Sequence, residues 1–168
     1  MPTGALTEIK RAWAPIMIGL AFALLFWQAP SVAARQAAVA SGQPAERATL
    51  ADFARAVGLN DIDGFVATVA AISGGGRLPA RYVTKGEAER SGWRPGSDLC
   101  RHLPGRAIGG DRFGNREGRL PGAAGRRWTE ADLDFNCGAR GAKRLVFSND
   151  GLIYVTVDHY QTFHAVPK

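Results

Sequence analysis

Histidine, cysteine and lysine are scarce in this 168-residue chain. There are three histidines (His102, His159, His164), two cysteines (Cys100, Cys137) and four lysines (Lys10, Lys85, Lys143, Lys168). With no CxxC pair and only scattered histidines, the set of ligands for a tetrahedral zinc site is missing. No segment repeats another, and the length fits one domain. Because lysine is rare, the formal net charge of +6 is carried by arginine. Arginine forks match phosphate oxygens two at a time, so an arginine-rich chain leans towards polyanions. A GC-rich genome also favours arginine codons, so charge alone does not decide the function. What is abundant is apolar: 46% of residues are hydrophobic, enough for a globular core.

Lys10 and Arg11 precede the apolar run "AWAPIMIGLAFALLFW" at 12–27, and small residues follow at Ser31-Val32-Ala33 and Ala38-Val39-Ala40. This is the order of a secretory signal, with cleavage after about residue 33 or 40. The run is short for a membrane span of roughly 20 residues, but an uncleaved single-helix anchor is the alternative. Both readings export the domain, to the periplasm or beyond. Removing residues 1–33 lowers the formal charge only from +6 to +5, since Lys10, Arg11 and Glu8 leave together. The expected organisation is a signal at 1–33, a leader and extra helix at 34–60, and the main domain at 61–168.

Export also bears on the cysteines. An even pair in an oxidising compartment is expected to form a disulfide, with two buried thiols as the alternative. Such a bridge would act mainly on the unfolded chain, by about 4 kcal/mol, and is expected to lie outside any cleft.

Helices are expected first and strands later. Residues 35–47 read as a flexible leader. A Thr49-x-x-Asp52 capping box opens a helix that ends at Gly58, with Leu50, Phe53 and Val57 on one face. A second helix carries Ile62, Phe65, Val69 and Ile72, and a run of glycines stops it. A short third helix has Thr84 as its cap and Glu87 three residues on. From Arg106 onward, "AIGGDRF", "RRWTEADLDF", "KRLVFS", "GLIYVTV" and "QTFHAV" read as strands, with "SNDG" as a hairpin turn. The fold class is α+β, with N-terminal helices on a C-terminal antiparallel sheet.

Period-2 alternation sorts the side chains. In "GLIYVTVDHY" the triplet Ile153, Val155 and Val157 is the core face, and His159 falls at the strand's end. In "WTEAD", Trp128, Glu130 and Asp132 share a face opposite Thr129, Ala131 and Leu133, so Glu130 is expected on an outward surface. "RGAKRLVF" offers Arg140 and Arg144. If the strands are neighbours, one face gathers a carboxylate, an imidazole and guanidinium groups. That set can take a proton, give a proton and hold added negative charge, as phosphodiester cleavage requires. A structural histidine and an ordinary cross-strand ion pair account for the same residues.

From Leu78 onward, four motifs occur in one order: "LPARYVTKGEAERSGW", "IGGDRFGNREGRLPG", "GRRWTEADLDF" and "LIYVTVDHYQTF". In them the chain resembles the secreted bacterial guanyl-preferring ribonucleases, the barnase-like microbial ribonucleases. The resemblance covers about 90 residues strongly, continues weakly through 62–72 and does not reach 1–60.

It implies the microbial ribonuclease fold and a role for each matching residue. Glu130 would be the general base towards the ribose 2′-OH, and His159 the general acid towards the leaving 5′-oxygen. Arg140, Arg144 and Lys85 would surround the scissile phosphate, and Tyr160 would line the cleft. The segment with Phe113, Gly114, Asn115, Arg116 and Glu117 would recognise guanine through backbone amides at 114–116 and the Glu117 carboxylate. Such reading of base edges demands single-stranded RNA. No metal or other cofactor is implied, and the chain would act as a monomer. An acidic, barstar-like inhibitor protein is the implied partner.

Departures exist. Gly114 stands where the best-known member has serine, the stretch 95–104 is one residue shorter, and the cysteines and the helix at 49–58 are additions. His102 and His164 match no catalytic position and read as surface residues. A binding-only relative would not need an acid–base pair, and a toxin with the same chemistry would need a delivery region.

Overall fold

Asp61 starts the helix at the centre of the core. Its side chain accepts from the Gly64 N–H at 2.9 Å and caps helix α2, Ile62–Gly75. In this computed structural model residues 32–168 are described, with side chains from residue 43. The apolar run at 12–27 and most of the expected signal lie outside the described residues. Among those described, no helix is long and apolar enough to cross a membrane.

Helix α2 presents Phe65, Val66, Val69 and Ile72 to the sheet. It runs two residues into the glycine run and stops at Gly76, whose φ of 65° is the left-handed cap that glycine adopts without strain. Helix α1, Val32–Ala56, precedes it and is continuous. This corrects the expected leader at 35–47 and the helix start at 49. Thr49 does not cap: its Oγ1 donates to the Ala45 carbonyl at 3.0 Å, one turn back inside the helix. Alanine-rich sequence on both sides of Pro44 favours helix strongly enough to continue through it. The C-terminal part of α1 is in the core, with Leu50, Ala54 and the following Leu59 packed in one cluster with Phe65, Leu145 and Val155.

Thr84 caps α3, Lys85–Arg90, with the reciprocal Glu87 bond of a capping box, as the sequence predicts. A short 3-10 helix spans Leu99–Arg101. The strands follow: β2 Ala107–Phe113, β3 Trp128–Asp132, β4 Arg144–Ser148, β5 Ile153–Thr156 and β6 His164–Ala165. They pair antiparallel in chain order, and the turn at Asn149–Asp150 joins β4 to β5. A two-residue strand, β1 Tyr82–Val83, adds a parallel edge on β2. The sequence reading missed it, because two residues give no period. Gly109 permits the close fit there, since a Cβ would lie 2.7 Å from the Tyr82 ring and 2.9 Å from Ala131. The architecture is α+β, with α1 and α2 packed on one face of a six-stranded mixed sheet.

Face assignment in β5 agrees with alternation: Val155 is buried in the helix-side core, with Ile153 and Val157 against it. Ala131 and Leu133 also face inward. The opposite face of the sheet forms a second cluster of Leu120, Trp128 and Val146, with Phe113, Tyr154, Tyr160 and Phe163 packed on it. A disulfide joins Cys100 to Cys137, with their Cα atoms 5.4 Å apart.

Candidate active site

Strand β3 puts Glu130 on the face away from α1 and α2, as alternation predicts, but that face is not open. Glu130 is only 6% exposed. Lys85, the first residue of α3, donates from Nζ to Glu130 Oε1 at 2.6 Å. The Tyr160 hydroxyl donates to Oε2 at 2.7 Å. Both covering groups come from distant chain segments, so the burial was not readable in β3 alone. Burial raises the Glu130 pKa. The hydrogen bonds from Lys85 and Tyr160, with the charges of Lys85 and Arg140, outweigh it and hold the carboxyl below the ordinary glutamate value. Tyr160 moves the other way: burial and its bond to Glu130 push its pKa up to about 12. The result is a buried, ionised carboxylate with one oxygen on a cation and the other on a neutral hydroxyl.

Asp132 lies two residues along the same face and is fully buried. It anchors the two arginines singled out in the sequence. Arg140 makes a fork on it, Nε to Oδ2 at 2.7 Å and Nη2 to Oδ1 at 2.6 Å. Arg140 sits in the loop before β4 and not on the strand. Arg144 opens β4 directly opposite Asp132 in register. Its Nε is 3.0 Å from Asp132 Oδ1, an electrostatic contact in which the N–H is not aimed at the oxygen. That Nε is a buried donor with no hydrogen-bond partner among the described residues. The guanidinium stands 5.9 Å from the Tyr160 ring centroid.

His159 follows β5 and is exposed at the rim, its ring 5.1 Å from that of Tyr160. Both residues hold left-handed backbone, φ 57° and 70°. Asp158 makes this possible. Its Oδ1 accepts from the Thr156 hydroxyl at 2.9 Å and from the Gln161 and Thr162 amides at 3.0 Å each. Its Oδ2 accepts from the Thr162 hydroxyl at 2.6 Å. The Thr162 hydroxyl and amide lead in holding its carboxyl well below the usual carboxylate range.

The segment 112–119 closes the other end of the cleft. Asn115 turns with φ 44° and locks the loop through its side chain: Nδ2 donates to the Leu120 carbonyl at 2.8 Å, and Oδ1 accepts the Leu120 N–H at 2.9 Å. Leu120 is buried beneath it. Phe113 stacks on Tyr160 with ring centroids 5.2 Å apart. Phe113, Gly114, Asn115, Arg116, Glu117, His159 and Tyr160 line one pocket of roughly 730 Å³. Glu117 and Arg116 are exposed on it. His102 and His164 are exposed surface residues, as expected.

The structure therefore brings Lys85, Glu130, Arg140, Arg144 and Tyr160 into one polar floor and sets His159 with the 113–117 loop at its edge. Three positioning side chains were missed in the sequence, and a fourth, that of Asn115, was named only for its backbone amide. Asp132 positions both arginines, and the alternation that placed it beside Glu130 was the available signal. Asp158 holds the histidine loop, and a carboxylate four residues before a threonine could have shown it. Asp111 fixes the start of α3 by accepting the Lys85 N–H at 2.9 Å. The Asn115 side chain closes its own loop, a role that no local pattern announced.

Comparison with known proteins gives a family for the chain. A family model described as ribonuclease matches residues 66–167. A ribonuclease of Heyndrickxia coagulans is 54% identical over 88 residues, which are 52% of this chain and 81% of that protein. Ribonucleases of Bacillus intermedius and Bacillus pumilus are also 54% identical over 88 residues. There the match covers 52% of this chain and 54% of each relative, so it spans about half of their length. All but the first turn of α2, the whole sheet and every candidate site residue fall within the matched span, and the chain belongs to the ribonuclease family.

Proposed function

We propose that the protein is an exported endoribonuclease that cleaves single-stranded RNA, preferably after guanosine. The observation that carries the reading is the pairing of a buried, ionised Glu130 with an exposed His159 across one tyrosine. Glu130 takes the proton of the ribose 2′-OH. The 2′-oxygen attacks phosphorus, the bond to the 5′-oxygen breaks, and His159 gives that oxygen a proton. The product is a 2′,3′-cyclic phosphate. In hydrolysis the roles exchange: His159 takes a proton from water, and Glu130 returns one to the 2′-oxygen.

Charge on the phosphoryl oxygens is held by the guanidinium and ammonium groups of Lys85, Arg140 and Arg144. The two proton transfers need no metal in this scheme, and DNA lacks the nucleophile. Guanine preference rests on the 114–116 amides and the Glu117 carboxylate lining the pocket beside His159. Export rests on the N-terminal segment. The cationic cleft also suits an acidic inhibitor protein in the producing cell.

The test is to incubate the full-length chain with defined dinucleotides and look for guanosine 2′,3′-cyclic phosphate. Glu130→Ala and His159→Ala should each slow cleavage by roughly 100-fold or more, the scale of general acid–base catalysis. A chelator should leave the rate unchanged. A near-wild-type rate in either variant would overturn the role assignment.

A further inference from the structure

The loop between β3 and β4, residues 133–143, carries Arg140 to the cleft with few apolar anchors. Leu133 is buried at its start, while Phe135 is only partly buried. Asp134 and Cys137 take left-handed backbone, with φ 52° and 57°. Residues with a Cβ do not favour that path on their own. A clamp holds the middle of the loop. Cys137 is bonded to Cys100 in the 3-10 helix. Beside the bridge, Asp98 Oδ1 accepts both the Cys100 N–H at 3.0 Å and the Gly138 N–H at 2.8 Å. The far end is rigid, because Leu99 is fully buried in a cluster with Ala88, Trp93 and Ile108. Three residues after Cys137 the chain reaches Arg140, whose fork on Asp132 fixes the guanidinium from one side only. The sequence suggested that the cysteines lie apart from the cleft; Cys137 is nonetheless only three positions from Arg140 in the chain.

We propose that the Cys100–Cys137 disulfide positions Arg140, so that the phosphate site is fully formed only in the oxidised chain. The inference rests on the reading above that Arg140 holds the RNA phosphate. Formation of the bridge removes two protons and two electrons from the thiols. A disulfide of an exchange partner accepts them and becomes two thiols. Before export the same chain would carry a looser phosphate site. Cys100 and Cys137 are positioning residues: they touch no substrate and act through the loop.

The experiment compares the full-length wild type, the Cys100→Ser/Cys137→Ser double variant and Arg140→Ala, well below the melting temperature of each. Inhibition by inorganic phosphate and the pH–rate profile are measured. The double variant should bind phosphate more weakly, by roughly tenfold, less than the about 100-fold that a 1 Å misplacement can cost. Its acid limb should move up, because the Arg140 charge helps keep Glu130 ionised. Adding the cysteine substitutions to Arg140→Ala should weaken phosphate binding no further, since both act through one group.

If the double variant does not fold, wild type reduced with dithiothreitol in the cold, with its thiols counted, gives the same comparison. Wild-type phosphate inhibition and an unmoved acid limb in the folded, bridge-free chain would overturn the inference and leave the bridge a stabiliser only. Wild-type phosphate inhibition in Arg140→Ala would instead remove the phosphate role of Arg140, and the inference with it.

Discussion

Strand β4 shows its two sides one residue apart. Leu145 and Phe147 turn to α1 and α2, while Arg144, Val146 and Ser148 turn to the cleft. The helix side is held by buried area, and a fully buried leucine contributes about 1.5–3 kcal/mol. It requires shape but no particular partner. The cleft side is held by reciprocal pairing of Asp132 with Arg140 and Arg144, and of Glu130 with Lys85 and Tyr160. Each member there is costly without the other. One face can therefore drift through many apolar sequences, whereas the other fails at single atoms.

The strongest way to break this comparison is to remove the shared anchor. Asp132→Ala should cost about 3–5 kcal/mol, because it strands two half-buried or buried guanidinium groups. Leu145→Ala, across the strand pair on the other side, should cost about 2–5 kcal/mol, with the value set by how far the cavity collapses. Denaturant unfolding of both variants measures the difference. An Asp132→Ala variant as stable as wild type would mean that the cleft face is not held by pairing.

Lys85→Met sharpens the comparison by acting on charge with little change of volume. Without the ammonium, the burial of Glu130 is opposed only by Tyr160 and Arg140, so its pKa rises. A base must be ionised to act, so the acid limb of kcat/KM should move to higher pH, and a pH–rate profile reads it directly. Stability has the same sign. A carboxylate held below its unfolded pKa of about 4.3 stabilises the fold above that pH, and the contribution is lost as pH falls through the folded value. Glu130→Gln should therefore flatten the stability–pH curve below about pH 4.3. The smallest effect belongs to neither face. Thr84→Ala removes the cap of α3 and should cost about 1 kcal/mol in thermal unfolding, with little change at the cleft.

Where a rule is local, the sequence was legible. The Thr84–Glu87 capping box needs four residues, and the strands need only period 2, so α3 and β2 to β5 were readable. The helix-side residues Val155 and Leu133 were readable for the same reason. Contacts set by distant segments were not. Glu130 read as outward because Lys85 and Tyr160, which cover it, lie 45 and 30 residues away. The start of α1 was misplaced because Thr49 and Asp52 form a good cap pattern. A side chain that can cap can equally bond back to the preceding turn when the helix continues.

His159 and Tyr160 stand in adjacent left-handed positions, a conformation that costs a residue with a Cβ on the order of 1–3 kcal/mol. Asp158 and its threonines sustain that cost. The protein thus stores tension at the proposed proton donor. Glycine at position 159 would release it, and a His159→Gly chain should melt at a higher temperature than wild type while cleaving almost nothing. On the proposed role of His159, that outcome would make position 159 a place where stability is exchanged for turnover.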